Sequence, residues 1–410
     1  MPELASTSTC TGCMGCVNIC PKNAISPFSQ PDGHTSVRID PEKCVDCNLC
    51  EKACSIVNGY SYACNTLDSD FYAGWSTERT IRKNGATSGI FGSLAKAVLE
   101  SGGYVAGAVM EGTKCRYIVS SDRQDIARLQ GSKYTASYPG HVFKQIRTLL
   151  NEGNKVLFCG LPCHTAALLN VVPANLQANL LTADIICGGV SSPMLIERFA
   201  MEHPSFKSIV SFRNKENGWQ PSGYRYNLKY LDSEGKTISS PEGKRNLVTD
   251  GFACELTDRQ SCYDCRYAGI HRKSDMTLGD LWGDSMFPNQ HFNGVSAIIV
   301  HTEKGERLLR SSEVELHSVP ASSILLHNSR LFNGKSIKKY FPERRLFSKL
   351  IRNLSYPSLL KVYASDLRHS GVLWLPFALY RLVSFRIAEK IRQKQDRSII
   401  KTLSEDKQER

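Results

Sequence analysis

Apolar residues recur at helical spacing and then in short runs from about residue 80 to residue 310, which predicts alternating helices and strands. SGIFGSLAKAVLE has one apolar helical face, with Thr87 or Ser88 available as the N-cap. YVAGAVM and KVLFCG follow as short buried strands, and HVFKQIRTLLN lies between them as a second helix. The alternation favours an α/β domain. The residues on the first apolar face are Ile90, Phe91, Leu94, Ala97 and Val98.

Length and composition are those of an ordinary globular protein. A chain of 410 residues is long enough for two or three domains, and 41% of it is hydrophobic and 22% charged. The first residues, MPELASTST, lack the basic start and apolar run of a secretory signal, and no run reaches the ~18–20 apolar residues of a spanning helix. We therefore expect a cytoplasmic chain whose 16 cysteines stay reduced, and clustered thiols in that compartment are typical of metal ligands.

Eight cysteines form two runs of C-x2-C-x2-C-x3-C spacing, which is typical of a bacterial-type ferredoxin module with two [4Fe–4S] clusters. In such modules the fourth cysteine of each run binds the other cluster. A pair of zinc knuckles is the alternative, and it fits a third cysteine in each run poorly. Ser55 stands where the second run would usually have proline. The predicted ligand sets are Cys10, Cys13, Cys16 and Cys54 for one cluster, and Cys44, Cys47, Cys50 and Cys20 for the other.

The net charge of +12 lies in the tail, because residues 330–410 hold 19 Lys and Arg against 7 Asp and Glu. Within it, GVLWLPFALYRLVSFRIAEKIRQKQDR is too short, and too interrupted by Pro376 and Arg381, to span a bilayer. Two interpretations stay open, a helix lying on an anionic membrane surface and a helix packed on the catalytic domain. No recognition motif accompanies the charge, so we expect no nucleic acid partner.

Six segments between residues 78 and 300 resemble the beta subunit of the coenzyme F420 hydrogenase/dehydrogenase family. They are SGIFGSLAKAVL, GSKYTAS, VLFCGLPCHTAAL, ADIICGGVSSP, FRNKENGW and CYDCRYAGIHRKSDMTLGDLWG, in that order. The resemblance implies a flavoprotein in which FAD exchanges electrons between iron–sulfur clusters and a hydride-type donor or acceptor. The form with FRNKENGW is most similar to members whose genes lie beside polysaccharide-assembly enzymes.

The resemblance also implies a third [4Fe–4S] cluster on dispersed cysteines. Spacing alone supports only the pair in CYDC, which is a half-site that needs two distant partners. The alternative is that the other two are small buried hydrophobes. The implied ligands are Cys163, Cys187, Cys262 and Cys265, and the remaining thiols, Cys64, Cys115, Cys159 and Cys254, are expected to be structural.

Two loops resemble the flavin-contacting segments of the family. NGATSGIFG precedes a helix and would let the backbone approach a pyrophosphate, although Ser88 replaces a usual glycine and Gly92 a usual threonine. A capped helix start without a ligand is the alternative. Lys133 would stabilise charge on a reduced flavin or else be a solvated lysine, and His164 would donate a proton or make a structural hydrogen bond. The implied flavin contacts are Gly85, Thr87, Ser88, Gly89, Ser132, Lys133 and Tyr134.

The last segment of the resemblance, SDMTLGDLWG, predicts a strand and turn that shape the pocket, with Asp275, Asp280 and Trp282 in them. The predicted fold is an α+β ferredoxin-like domain (1–70), an α/β flavin-binding catalytic domain (78–310) and a basic, mostly helical tail (330–410).

We expect an oxidoreductase dependent on FAD and [4Fe–4S] clusters, located in the cytoplasm or peripherally at the inner membrane face. It would reduce a small organic or lipid-linked saccharide substrate in cell-surface polysaccharide biosynthesis. Its electron donor would be ferredoxin or a reduced deazaflavin such as coenzyme F420. One alternative is a non-catalytic electron-transfer subunit of a hydrogenase or dehydrogenase complex. Another is a ferredoxin fused to an interaction domain without flavin.

Overall fold

The computed structural model describes most of the chain. Those residues are 1–59, 64–65, 69–213, 215–216, 218–219, 228–240, 246–282, 286–331, 347–364 and the single residues 383, 386 and 390. The apolar and basic stretch of the tail, on which the membrane-surface prediction depends, lies outside the described residues apart from those three single positions.

The cysteine-rich N-terminal module consists of two short helices beside one antiparallel hairpin. Each helix begins after a residue in the left-handed region, Met14 at φ 59° and Asn48 at φ 56°, so the two cysteine loops turn in the same way. The buried core of the module includes Met14, Val17 and Ile25 together with three of the cysteines. Its elements are Gly15–Ile19 (α1), Leu49–Ala53 (α2), Ile25–Ser29 (β1) and Thr35–Ile39 (β2).

Nine of the described strands form one mixed sheet. Its four middle strands are parallel to one another, and antiparallel strands extend the sheet on both sides. Numbered in chain order and given from edge to edge, they are Val314–Ser318 (β16), Asp70–Ser76 (β4), Ser296–Val300 (β15), Met276–Asp280 (β14), Leu180–Ile185 (β9), Val156–Gly160 (β8), Tyr104–Glu111 (β5), Lys114–Ser120 (β6) and Ser137–Tyr138 (β7).

Helices cover both faces of this sheet, which confirms the predicted α/β character. Successive strand residues point to opposite faces, so Leu157 packs with Leu94 on one side while Phe158 packs with Phe143 on the other. The helices of the first face are Ile90–Glu100 (α4) and Glu303–Arg310 (α10), and those of the second are Val142–Asn151 (α6) and Pro162–Val171 (α7).

A smaller three-stranded antiparallel sheet packs with helices around a second core that includes Phe199, Phe212 and Tyr356. Its strands are Phe206–Ser211 (β10), Lys229–Asp232 (β11) and Thr237–Ser239 (β12), and a separate pair is formed by Cys64–Asn65 (β3) and His271–Arg272 (β13). The remaining described helices are Arg79–Asn84 (α3), Ile126–Leu129 (α5), Met194–Met201 (α8), Leu247–Ala253 (α9), Ala321–Leu325 (α11) and Tyr356–Ala364 (α12).

The predicted side-chain cap of α4 is wrong. The N-cap is Gly89, at φ 85°, and no side chain caps the helix. Thr87 instead donates to the carboxylate of Asp280, and the hydroxyl of Ser88 donates to the Gly74 carbonyl at 2.7 Å and lies 2.6 Å from Ser296 Oγ. Both hydroxyls therefore tie the loop to the sheet rather than to the helix.

The N-terminal module docks on the larger domain through buried polar contacts. Asn18 in α1 donates to the Gly140 carbonyl at 2.8 Å and accepts from the Lys144 amide at 3.1 Å. In the hairpin of the module, His34 Nε2 lies 3.0 Å from the Thr257 carbonyl. These contacts fix the cysteine loops relative to the sheet.

Candidate redox site

Two cavities in the N-terminal module are each lined by four cysteines. The pKa of Cys13 is raised to about 11, chiefly by burial and in part by the nearby thiols of Cys10 and Cys54. Thiols drawn from both runs thus lie together, with the grouping that the ferredoxin spacing predicts. The first cavity is lined by Cys10, Cys13, Cys16 and Cys54, and the second by Cys20, Cys44, Cys47 and Cys50.

The four dispersed cysteines line a third cavity. Cys163 is the second residue of α7, and Cys187 follows β9 at the carboxyl edge of the parallel strands. Cys262 lies in a 3₁₀ turn at Gln260–Tyr263, and Cys265 comes just after it. Burial raises the pKa of Cys187 to about 11, and the nearby Cys265 thiol acts in the same direction. Four thiols from three distant segments therefore face one space.

Each of the three cavities has four thiol donors. In the described part of the chain, no group of three or more Cys, His, Asp or Glu side chains is placed to hold a single metal ion. A [4Fe–4S] cube takes one thiolate at each of four corners and so holds its ligands farther apart. Four thiols around each cavity fit that group.

The first and third cavities adjoin, because Thr11 and Tyr267 line both. Tyr267 is 2% exposed. Burial raises the pKa of its phenol, and the thiols of Cys13 and Cys163 raise it further, so the ring lies close to thiols of both cavities.

A larger cavity of about 450 Å³ lies against the third one at the carboxyl edge of the sheet. Cys187, Leu161 and Arg330 line both cavities. The volume is within the range of sites for cofactors and other small molecules. Of the residues implied as flavin contacts, Gly85, Thr87, Gly89, Ser132, Lys133 and Tyr134 line it and Ser88, which is fully buried, does not.

Lys133 lines the large cavity, but its ammonium group donates to the carbonyls of Arg128, Leu129 and Gln130 at 3.0, 2.8 and 2.6 Å. It thereby caps the carboxyl end of α5, and the residue is half-buried. Burial lowers the pKa of Lys133 to about 8.

His164 lines the third cysteine cavity rather than the large one. Its Nδ1 lies 3.1 Å from the hydroxyl of Tyr117, and burial lowers the pKa of His164 to about 3. His164 therefore makes a hydrogen bond within the protein, of the kind that the structural alternative expects, and proton donation by His164 stays a prediction.

Sequence reasoning missed several residues of the large cavity. Arg213 forms an ion pair with Asp280 at 3.0 Å and donates to the Ala86 carbonyl at 2.6 Å, which holds the 84–89 loop. Phe252, which was also missed, lines the cavity and stacks on Tyr134 with ring centroids 4.1 Å apart. Arg213 lies in the segment FRNKENGW, which had been singled out in the sequence, but nothing in the spacing indicated that it pairs with Asp280.

Of the other residues singled out in the sequence, some line the large cavity and one does not. Asp280 and Trp282 line the large cavity, as do the thiols Cys115 and Cys159. Asp275 does not line it and instead accepts from the amide and hydroxyl of Thr182 at 2.7 and 2.8 Å.

Cysteine cavities in a ferredoxin-like module and in an adjoining α/β domain define an iron–sulfur electron-transfer protein. Models of the coenzyme F420 hydrogenase/dehydrogenase beta subunit match the chain twice, the N-terminal model at residues 71–143 and the C-terminal model at residues 153–321. A 4Fe-4S dicluster domain matches residues 9–56. The chain belongs to the coenzyme F420 hydrogenase/dehydrogenase beta-subunit family, with a dicluster ferredoxin module at its N-terminus.

Individual relatives are distant. An uncharacterized polyferredoxin-like protein of Methanocaldococcus jannaschii is 32% identical over 69 residues, which are 15% of this chain and 41% of that protein. The chain thus spans less than half of that relative. A chain of the F420-reducing [NiFe] hydrogenase complex from Methanosarcina barkeri is 15% identical, covers 74% of this chain and 93% of its own length, and has a TM-score of 0.41.

The helices of the described residues are short or carry a polar face. None of them has the length and apolar character needed to cross a membrane.

Proposed function

We propose that this protein is an electron-transfer subunit that binds a [4Fe–4S] cluster in each of its three cysteine cavities and a flavin, FAD, in the cavity of about 450 Å³. One observation carries the proposal. The third cysteine cavity shares lining residues with the first cavity on one side, through Tyr267, and with the large cavity on the other, through Cys187.

The residues of this chain would hold and enclose these groups. When bound, the clusters carry single electrons and the flavin exchanges them in pairs with an organic partner. The thiolates supply the cluster ligands, and buried residues such as Met14 and Tyr267 keep water away from them. Cys187, which lines both the third cavity and the large one, brings the two cofactor sites into contact.

Three features support a flavin in the large cavity. The loop from Gly85 to Gly89 leads into the 11-residue helix α4, whose first amides can bind a pyrophosphate. Arg213 adds a cation beside this loop, at 2.6 Å from the Ala86 carbonyl. Tyr134 and Phe91 give the cavity aromatic surface for an isoalloxazine ring.

The family assignment favours the electron-transfer subunit over the expected reductase of polysaccharide assembly, for which the comparisons offer no support. A family named for coenzyme F420 hydrogenases and dehydrogenases makes a deazaflavin one candidate electron partner, and ferredoxin is the other. A larger hydrogenase-like or dehydrogenase-like assembly would accommodate either electron partner.

The test is the content of iron, sulfide and flavin after anaerobic purification of wild type, Cys262→Ser and Cys254→Ser. We expect about twelve irons and one flavin in wild type, with about four irons lost in Cys262→Ser. Cys254 packs at the edge of the second core, away from the cysteine cavities, so Cys254→Ser is the matched control and should keep all of them. Equal iron contents of about eight in all three proteins would remove the third cluster from the proposal.

A further inference from the structure

Arg259 is a buried arginine on the wall of the third cysteine cavity. It is 4% exposed, and its Nη1 donates to the Thr35 carbonyl of the N-terminal module at 2.6 Å. The side chain therefore lies where the module meets the larger domain.

The guanidinium of Arg259 has no carboxylate partner within ion-pair distance among the described residues, and its Nε has no acceptor there. Two other arginines line the same cavity, and each has one: Arg272 lies 3.7 Å from Asp184, and Arg330 lies 3.8 Å from Glu255. A buried charge without a partner is costly. An anion in the cavity would offset that cost.

The absence of a side chain at Gly12, in the first cysteine loop, leaves space for the guanidinium of Arg259. Gly12 has φ 68°, and a Cβ atom there would come within 2.6 Å of Arg259 Nη2. The guanidinium is thus packed against the loop between Cys10 and Cys13, which fixes its position beside the third cavity.

The three cysteine cavities differ in charge. Among the described residues, no lysine or arginine lines the first, and Lys22, which is exposed, is the one basic residue that lines the second. Three arginines line the third. Asp258 opposes them in part, because its carboxylate lies close to Cys262: a Cβ atom at Gly189 would meet both side chains.

We propose that Arg259 is a positioning residue whose charge offsets that of the reduced cluster in the third cavity and holds its potential above those of the two clusters in the N-terminal module. Reduction adds one electron to a group that is already anionic, so a fixed cation nearby stabilises the reduced form. Single electrons then move from the module clusters to the third cluster, with no bond made or broken. The inference rests on the proposed third cluster.

The test is an EPR-monitored potentiometric titration of the full-length protein, with iron counted in each preparation. The signal of the third cluster is the one missing from Cys262→Ser. Arg259→Met and Arg259→Gln remove the charge, and Arg259→Lys keeps it. Arg38→Gln removes an exposed arginine from β2 of the same module and is the matched control.

We expect the midpoint potential of the third cluster to become more negative in Arg259→Met and Arg259→Gln, by more than that of either module cluster. Arg259→Lys and Arg38→Gln should stay close to wild type. Should the neutral variants lose about four irons while Arg259→Lys keeps about twelve, the charge is needed to hold the anionic cluster, which also supports the inference.

Unchanged midpoints in neutral variants that keep about twelve irons would overturn this inference and leave the proposed function standing. Loss of the third cluster in all three variants would also overturn it, because packing and not charge would then matter. A wild type with about eight irons would overturn both.

Discussion

Gly89 fixes how α4 begins, because its backbone takes φ 85°, a conformation that other residues adopt only with strain. A Cβ atom at this position would also come within 2.7 Å of the Ile81 carbonyl oxygen, so the loop closes tightly over the end of α3. This glycine lines the large cavity, and its geometry sets the shape of that wall.

Gly89→Ala should lower the free energy of unfolding by about 1–3 kcal/mol more than Gly102→Ala does. Gly102 has a similar φ of 79°, but a Cβ atom there would meet nothing within 4 Å beyond its own chain neighbours. This control therefore separates the cost of the close contact from that of the backbone angle. Thermal unfolding of the anaerobic protein measures the difference. Equal losses in the two variants would show that the contact at Gly89 carries no energy.

At the residue scale, the sequence predicted the groups of residues that are determined by short spacing along the chain. The grouping of eight cysteines into two sets follows from the two short runs, and the structure has the same grouping. Cys163, Cys187 and the CYDC pair are far apart in the chain, so only the resemblance joined them. Arg259 gave no signal at all, because its burial against Gly12 depends on how the module docks.

His34 connects the hairpin of the module to the larger domain through the Thr257 carbonyl. A carbonyl needs a donor, so the neutral ring with hydrogen on Nε2 suits this contact. The pKa of His34 is lowered to about 4, chiefly by burial and in part by the charge of Arg259, while Asp32 acts in the opposite direction. The docked ring therefore stays neutral where an unfolded histidine would already be charged.

The sign of the pH dependence follows from this shift. Between the ordinary pKa of 6.5 and about 4 the unfolded chain binds a proton that the folded chain does not, so stability falls as the pH is lowered through this range. We expect His34→Gln, which can still donate to the carbonyl, to reduce the loss of stability between pH 7 and pH 5 by about 1–2 kcal/mol.

The measurement is the thermal unfolding midpoint at pH 5 and pH 7 in both proteins. His141 is exposed at the start of α6, so His141→Gln is the control and should leave the wild-type pH difference intact. A His34→Gln protein that loses as much stability as wild type on acidification would contradict the role given to this ring.

At the element scale, periodicity predicted α4, α6, β5 and β8 with bounds close to those observed. The antiparallel strands that extend the sheet on both sides were not predicted. Asp70–Ser76 pairs with Ser296–Val300, which comes far later in the sequence. Partners so distant in sequence leave no local pattern from which their pairing could be predicted. The hydroxyls of the 84–89 loop were likewise expected to be helix caps, because a local pattern does not reveal contacts with the sheet.

Taken as a whole molecule, the protein places its four proposed cofactor sites in succession. The second cavity belongs to the same small core as the first, the first adjoins the third at Tyr267, and the third adjoins the large cavity at Cys187. Such an order serves electron transfer between the N-terminal module and the large cavity. The positive charge of the cavity walls increases in the same order, since among the described residues arginines line the third cavity and not the first.

The most direct test counts the electrons that the whole chain accepts. In an anaerobic reductive titration of the purified protein, followed by absorption, three clusters and one flavin would take up about five electrons per chain. We predict that value, with bleaching of both iron–sulfur and flavin bands. Uptake of about two electrons, with no flavin band, would mean that only the N-terminal module carries cofactors and would contradict the account.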